Sequence, residues 1–472
     1  MKKIILVLLS AFALVQQACY KDKGNYEYNM PVAPTISGLD TLYTVALGDT
    51  LIIQPTVTTT DPNARFFYSW TISIPEQFRD TVITGFPLKY AFGLDPKKYA
   101  ARMTITDSSN GMKYFREFMI DGQTEFSVGT LVLTLENNTS QLNFVKPDGS
   151  VISRVYRAIH GVDLPGGPQQ IIPLVHQALT TKPTFCYWVT GTETNDAGVR
   201  LATNTLIQIN TLRKNFFDPP ASAVPGQLES KADGVLRGVI NKKLYVGAWK
   251  TFYGFPIYGY FGVPTAGDYE LYRQVIFNQA PYIIGYDSKA KKVVAFTNFG
   301  DPAYIGTDYQ VTTTTPFDPK NVGLDLLHFQ QIGGNNCFAF GKAADGTLYE
   351  LKFGADFMGF IQLSPQYKRA FAQPGLITPL TRWAGAPGEI FYFNSGDKIY
   401  RYNPLNQEIR PLITDFGGKT VSMVKMIDNG NTLVAGIEGS LYFLDVSTGK
   451  FGDIVKKYDG IPGAPVDIAI KN

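Results

Sequence analysis

The segment TLVAGIEGSLYFLD, residues 432–445, contains an apolar run, a short turn with a glycine, and a second apolar run that ends in an aspartate. Runs of this length, rich in β-branched and aromatic residues, are typical of the two strands of a β-hairpin. The same order returns in LVLTLENNTSQLNFVK (131–146), CFAFGKAADGTLYELK (337–352) and IFYFNSGDKIYRYN (390–403). This repeated hairpin is the pattern that decides the fold prediction.

Two further copies contain longer insertions. FCYWVTG (185–191) is followed by NTLIQIN (204–210), and KLYVGAW (243–249) is followed by PYIIGYD (281–287), which makes six copies. Most copies also have an apolar run before them and another strand after them. Four antiparallel strands per repeat, arranged around a ring, predict a β-propeller.

The two ends of the repeated region complement each other. The copy that begins at Leu131 lacks a preceding strand, whereas the chain ends in an unpaired strand, PVDIAI (465–470). We therefore predict an all-β propeller over residues 125–472, with six blades and with seven as the alternative. The C-terminal strand would close the ring as the missing innermost strand of the first blade, which would also cover two strand edges. The alternative to a propeller is a set of unrelated hairpins in one large sandwich.

Residues 31–122 form a separate group of short alternating runs, among them TLIIQPTV (50–57), FFYSWTIS (66–73) and YAARMTIT (99–106). Short alternating strands separated by turns predict a β-sandwich. The group resembles a PKD-type immunoglobulin-like domain, in which a tryptophan such as Trp70 packs between the sheets. It lacks the disulfide that antibody domains place beside that tryptophan.

The N-terminus has the form of a secretory signal. Lys2 and Lys3 precede an apolar run over residues 4–15, which is too short to span a bilayer, and Cys19 follows the small residue Ala18. We predict a lipoprotein signal peptide over residues 1–18, a lipidated Cys19 and a polar tether over residues 19–30. The alternative is a soluble secreted protein in which Cys19 has no such role.

From the CYKDKGNYEY tether (19–28) through the sandwich and beyond, the chain resembles PKD-like family lipoproteins of the Gram-negative outer membrane, encoded beside Sus-type TonB-dependent uptake systems. The resemblance implies an outer-membrane, cell-surface location and a role in nutrient uptake. It also implies a TonB-dependent transporter and its surface lipoprotein as partners. It supplies no catalytic residues.

Composition excludes some functions. Lys2 and Lys3 leave with the signal peptide, so that 43 basic and 40 acidic residues become 41 and 40. A charge so near neutral argues against a nucleic-acid partner. Cys186 and Cys337 lie in the apolar runs FCYWV and NNCFAF, which favours buried thiols over a disulfide.

The long predicted loops fall on one face of the propeller, where function concentrates on a rigid scaffold. The longest, residues 250–280, is predicted to join the second and third strands of the third blade. We expect an oligosaccharide or peptide to bind there, because aromatic side chains bury area with little loss of entropy. The alternative is that these rings form the loop's own small core. The candidate ligand-binding residues are Trp249, Tyr253, Tyr258, Tyr260, Tyr269, Tyr272, Tyr304 and His160.

No catalytic motif, cofactor site or metal-ligand spacing is visible, so we predict a non-catalytic binding protein. His176 and His328 fall in predicted innermost strands and are expected to be core residues. The alternative functions are a glycan-degrading hydrolase or lyase, which needs two carboxylates close together, and a protein-docking platform of the uptake complex. The loop carboxylates that could form such a pair are Asp163, Asp196, Asp268, Glu270, Asp301 and Asp308.

Overall fold

The computed structural model describes residues 31–74, 79–175, 184–231, 233–248, 258–277, 281–298 and 301–471. The predicted signal peptide, Cys19, the tether and His176 lie outside these residues. The chain divides into two compact units, Met1–Gly93 with Lys98–Gly122, and Leu94–Lys97 with Gln123–Asn472. In the part of the chain that is described, no helix is long and apolar enough to cross a membrane.

The first unit consists of a five-stranded sheet, in the order β2-β9-β8-β5-β6, and two strand pairs, β1-β4 and β3-β7. The pairs β9-β8, β8-β5 and β5-β6 are antiparallel. Along β5 every second side chain is buried, which places Trp70, Ile72 and Ile74 in the core. Trp70 packs edge-on against Phe118 at 6.0 Å, and its indole nitrogen donates a hydrogen bond to the Gly85 carbonyl at 2.9 Å. The expected burial of this tryptophan is confirmed. The strands are β1 (Thr35–Ser37), β2 (Leu42–Ala46), β3 (Thr50–Ile53), β4 (Thr56–Thr58), β5 (Phe66–Ile74), β6 (Arg79–Thr84), β7 (Leu88–Ala91), β8 (Lys98–Asp107) and β9 (Lys113–Gln123).

The second unit contains seven sheets, which we number one to seven in chain order. Neighbouring strands are antiparallel in all of them except the pair β24-β28. Sheets one to three contain β10 (Gly129–Glu136), β11 (Thr139–Val145), β12 (Val151–Ile152) and β37 (Ala464–Lys471); β13 (Gln170–Val175), β14 (Thr184–Thr190), β15 (Gly198–Ala202) and β16 (Gln208–Thr211); and β17 (Pro225–Ser230), β18 (Leu236–Ile240) and β19 (Lys243–Val246).

Sheets four to seven continue the same arrangement, and a few short helical segments lie between sheets. The strands are β20 (Ile276–Phe277), β21 (Tyr282–Asp287), β22 (Lys292–Thr297) and β23 (Ala303–Gly306); β24 (Gln310–Val311), β25 (Asp325–Gln331), β26 (Asn336–Lys342), β27 (Leu348–Phe357) and β28 (Ile361–Ala370); β29 (Trp383–Ala386), β30 (Ile390–Ser395), β31 (Lys398–Asn403) and β32 (Glu408–Pro411); and β33 (Val421–Ile427), β34 (Thr432–Ile437), β35 (Gly439–Asp445) and β36 (Asp453–Ile461). The helical segments are α1 (Val155–His160) and the 3₁₀ turns Arg213–Asn215, Pro374–Leu376 and Asp428–Gly430.

The count of six repeats is corrected to seven sheets, the number held as the alternative. KLYVGAW and PYIIGYD were counted as one hairpin, but β19 pairs with β18 in sheet three and β21 belongs to sheet four. Asn241 and Lys242 form a two-residue turn between β18 and β19, and both have positive φ, 48° and 62°. Lysine seldom adopts this left-handed conformation, and glycine is the residue usually found in such a turn.

Buried hydrophobic side chains fill the space between each sheet and the next. Clusters join sheets one and two, two and three, and so on to six and seven. A further cluster joins sheet seven to sheet one, where Leu441 and Phe443 pack with Val132 and Ile468. In sheet one, β37 pairs with β10, with Val132 opposite Ile468. The predicted pairing of the C-terminal strand is therefore confirmed. Each sheet packs on the next one in chain order, and sheet seven packs on sheet one.

Polar side chains connect the first strands of consecutive sheets. Gln170 on β13 both donates to and accepts from the backbone of Leu228 on β17. Asp467 on β37 accepts from the backbone N–H of Ile171 at 2.8 Å and pairs with Lys425 of sheet seven at 2.6 Å. These side chains satisfy edge groups that have no backbone partner, because the strands of different sheets do not form a ladder with each other.

Candidate functional site

The longer described connections of the second unit, residues 153–169, 212–224, 307–324 and 371–382, each lead from the end of one sheet to the first strand of the next. The strands of a sheet alternate in direction, so these connections leave from the same end of each sheet as the turn between its second and third strands. We call this the long-connection end. These four connections therefore lie at one end of the sheets, as predicted for the long loops.

The aromatic segment is not one loop between second and third strands, as expected, because the chain reverses within it. Gly247 and Phe261 form an antiparallel bridge, and the Tyr258 hydroxyl donates to the Asp233 carbonyl at 2.6 Å. Asp233 lies in the connection between β17 and β18, so Tyr258 is at the end opposite the long connections. Tyr260, which is partly buried, packs on Phe217 with ring centroids 5.8 Å apart. Trp249 and Tyr253 lie outside the described residues.

Tyr269 and Tyr304 form part of a core within this region. Tyr269 is 2% exposed, and its hydroxyl donates to the Thr265 carbonyl at 2.5 Å. Its ring lies 4.7 Å from that of Tyr304, and burial raises the pKa of its hydroxyl to about 12. Tyr269 is thus buried, because the segment folds back on sheets three and four, and this agrees with the alternative that these rings form a small core. Tyr304 keeps partial exposure and also packs on Phe296 at 5.3 Å.

His160 is the last residue of α1, and its Nε2 is 3.2 Å from the Leu206 carbonyl oxygen. A polar cavity of about 280 Å³, which sequence reasoning missed, is lined by other residues of this region, among them Arg154, Arg157 and Asp163. In the cavity wall Arg154 pairs with Glu136, and Arg157 with Asp163, both at 2.5 Å. Each arginine lowers the pKa of its carboxyl partner, by a hydrogen bond first and by its charge second.

The remaining loop carboxylates are dispersed. Asp196 accepts from the Thr211 hydroxyl at 2.6 Å, and Glu270 pairs with Lys242 at 2.7 Å, which lowers the pKa of Glu270. Asp268, Asp301 and Asp308 are exposed. Among the described residues, no group of three histidine, cysteine or acidic side chains could hold a metal ion. The two remaining cysteines are buried free thiols, which confirms that prediction.

Among the predicted tyrosines that the structure describes, Tyr272 alone contacts the first strand of another sheet, β25. Its hydroxyl donates to the Leu327 carbonyl at 2.6 Å, and Phe329 N–H donates to the Gln274 side chain at 2.9 Å. On the other side, Gln227 N–H donates to the Arg273 carbonyl at 2.6 Å. Residues 272–274 therefore lie between β17 and β25, immediately before the first strand of sheet four.

His328, between Leu327 and Phe329, extends the contacts to sheet six. It is buried, its Nε2 lies 2.9 Å from Gln330 Oε1, and its ring stacks on Trp383 at 5.5 Å and 16°. Burial lowers the pKa of His328 to about 4, so the predicted core role is confirmed. Tyr272, Arg273, His328, Arg382 and Trp383 thus come from three sheets, and we call them the axial cluster. Sequence reasoning missed both arginines. The one signal was that PLTRWAG (379–385) is the apolar run before the copy IFYFNSGDKIYRYN, and such runs predict first strands.

Comparison with known proteins bears on the N-terminal part. A model described as the PKD-like family matches residues 19–168. This part of the chain is PKD-like. A search of curated proteins found no match.

Solved structures with a similar course have low identity. A quinonprotein alcohol dehydrogenase-like protein from Bacteroides thetaiotaomicron is 14% identical, with a TM-score of 0.43 over 93% of this chain and 99% of that one. A candidate 6-phosphogluconolactonase from Bacteroides uniformis is 12% identical, with a TM-score of 0.46 over 73% and 99%. Likenesses at this level carry no argument about activity.

Proposed function

We propose that the protein is a lipid-anchored, non-catalytic binding component of an outer-membrane uptake system, which captures an oligosaccharide or peptide at the long-connection end of a β-propeller. The observation that carries the proposal is that four long connections leave from one end of the cyclic succession of sheets. The partners would be a TonB-dependent transporter and its surface lipoprotein.

The propeller itself is part of the proposal. In this reading the seven sheets are seven blades, and β37 closes the ring as the innermost strand of the first blade. The seven hydrophobic clusters and the pairing of β37 with β10 support it. Closure removes exposed strand edges, and the ring gives loops from several sheets a common rigid support.

A binding role is favoured over catalysis by the state of the carboxylates. A glycosidase needs one carboxyl group with a raised pKa to act as the acid. Burial raises the pKa of Glu229 on β17, but its carboxylate already pairs with Lys231 at 2.9 Å. Glu136, Asp163 and Glu270 pair with basic side chains, and each has a lowered pKa. Such carboxylates stay ionised at neutral pH and suit structural ion pairs.

The anchor can be tested separately. Lipidation of Cys19 would hold the chain to a membrane by burying acyl methylenes. We expect Cys19→Ala to move the protein from the detergent phase to the aqueous phase in a phase-partition assay. Co-purification with a transporter from detergent extracts, compared between the wild type and this variant, tests the partner.

Ligand capture can be tested by titrating the mature chain with a panel of neutral and acidic oligosaccharides and short peptides in a calorimeter. Chromatography of the same mixtures detects cleavage. We expect binding without products. Products formed at a steady rate would overturn the non-catalytic role, and the absence of binding to every member of the panel would overturn capture of these ligand classes.

A further inference from the structure

Two arginines meet at the axial cluster without an acidic partner. The backbone of Arg273 is held between sheets three and five by the hydrogen bonds of residues 272–274, and its side chain is exposed. Arg382 directly precedes Trp383, whose ring stacks on His328. Because His328 lies between the two residues that bond Tyr272 and Gln274, this stacking brings Arg382 towards Arg273.

Arg382 immediately precedes β29 and is exposed to solvent. Desolvation by surrounding protein, followed by the charge of Arg273, lowers its pKa. The charge of Arg273 also contributes to the low pKa of His328. These directions agree with the hydrogen bonds and the stacking that bring the backbones of the two arginines towards each other.

The charges of this pair are uncompensated. Across the residues that the structure describes, neither Arg273 nor Arg382 has a carboxylate partner. Arg382 makes only long contacts with the carbonyls of Pro379 and Thr381, at 3.5 and 3.4 Å. By contrast, acids on other first strands are paired, Asp467 with Lys425 at 2.6 Å and Glu229 with Lys231 at 2.9 Å.

We propose that Arg273 and Arg382 bind an oxyanion group, a carboxylate or a phosphate, of the ligand captured at the long-connection end. The inference rests on the proposed function and names its ligand class as acidic. A guanidinium group presents a planar fork of donors that matches these oxyanions, and a bound anion between the two arginines would remove their repulsion.

The neighbouring aromatic residues support the arginines and do not replace them as ligand contacts. Trp383 stacks on His328 on one side and lies 4.5 Å from the Phe340 ring at 25°. These two rings, which also lie 6.2 Å from each other, make the indole part of the packing between sheets five and six. The indole fixes the backbone before β29, and this holds Arg382 in position.

The test uses the mature chain with three probes: inorganic phosphate, trigalacturonate as a carboxylate ligand and maltotriose as a neutral control. We expect calorimetric binding of at least one of the two anions. Arg273→Gln and Arg382→Gln should each weaken this binding about 10- to 100-fold, the range for losing a charged hydrogen-bonding group. Arg382→Lys, which keeps the charge and loses the fork, should lie between wild type and Arg382→Gln.

Arg410→Gln is the matched control, because Arg410 carries the same charge on sheet six but pairs with Glu408 and is exposed. It should leave anion affinity unchanged. Thermal melts check folding: the anion that binds should raise the wild-type transition more than chloride at equal ionic strength, and it should not do so in the double glutamine variant.

The outcomes separate the two proposals. Binding of trigalacturonate or of phosphate identifies the carboxylate or the phosphate as the group recognised. Anion binding that is equal in wild type and arginine variants overturns the inference, and so does the absence of binding by both anions. If maltotriose binds while neither anion does, the inference fails and the proposed function stands.

Discussion

Replacing Glu350 by glutamine tests the packing between sheets five and six. Glu350 is fully buried on β27, where it accepts hydrogen bonds from the hydroxyls of Tyr367, at 2.5 Å, and of Tyr402. Arg369 lies 3.3 Å away, with its side chain 24% exposed, and also donates to the Pro404 carbonyl. One carboxylate therefore contacts three donor side chains. Two of these contacts connect sheet five to sheet six: Tyr402 belongs to sheet six, and Arg369 donates to the carbonyl of Pro404, which follows β31.

The expected loss is worked from these contacts. Glutamine keeps the size and leaves no cavity, but its amide has one acceptor oxygen and no charge. Hydrogen bonds to a charged group contribute about 1.5–3 kcal/mol and neutral ones about 1 kcal/mol, so weakening both tyrosine bonds costs about 2 kcal/mol. Loss of the partner of the partly exposed Arg369 adds roughly 1 kcal/mol, less than the 3–5 kcal/mol for breaking a fully buried pair. We expect the free energy of unfolding to fall by about 3 kcal/mol.

The assay is equilibrium urea unfolding followed by fluorescence, because Trp383 packs in the hydrophobic cluster that contains Tyr402. Glu408→Gln is the control, since it removes the same charge from an exposed pair with Arg410 on sheet six and should cost less than about 1 kcal/mol. Tyr402→Phe combined with Glu350→Gln should cost less than the sum of the single changes. A loss below about 1 kcal/mol for Glu350→Gln, or one equal to the control, would refute the reasoning.

Three further predictions concern other contacts. The pKa of His328 is about 4 in the folded protein and about 6.5 in the unfolded chain, so only the unfolded chain binds this proton as the pH falls from 6.5 to 4. The free energy of unfolding should therefore drop by about 3 kcal/mol over that range. Urea titrations of wild type and His328→Phe at each pH isolate the effect, and parallel curves for the two proteins would contradict it. Asp467→Asn should cost about 1–3 kcal/mol in the same titration, because Asp467 joins β37 to Lys425 and to Ile171. No change would mean that these contacts do not stabilise the packing of sheet one on sheets seven and two. In thermal melts, Tyr269→Ala should lower the free energy of unfolding by about 3–5 kcal/mol and Tyr260→Ala by about 1 kcal/mol, because of the two only Tyr269 is fully buried. Equal losses for the two variants would argue against the packing assigned to these rings.

The strands and their pairing within hairpins could be predicted from the sequence, because alternation and turn residues act over a few positions. TLVAGIEGSLYFLD forms β34 and β35 as expected, and PVDIAI pairs with the strand that begins near Leu131. The unpaired strand at one end of the repeat and the missing strand at the other were enough to predict this pairing. Burial of Trp70 was implied by the resemblance to PKD-type domains.

The number of sheets and the contents of the site depended on tertiary structure. The turn INKK (240–243) between β18 and β19 was predictable, but only the strand pairing shows that PYIIGYD belongs to the next sheet and not to that of KLYVGAW. The fate of Tyr269 likewise depended on which surface the segment folds against. Arg273, His328 and Arg382 are far apart in the chain and meet because their strands lie side by side in successive sheets. No local pattern records that proximity, since it arises from the packing of one sheet on the next.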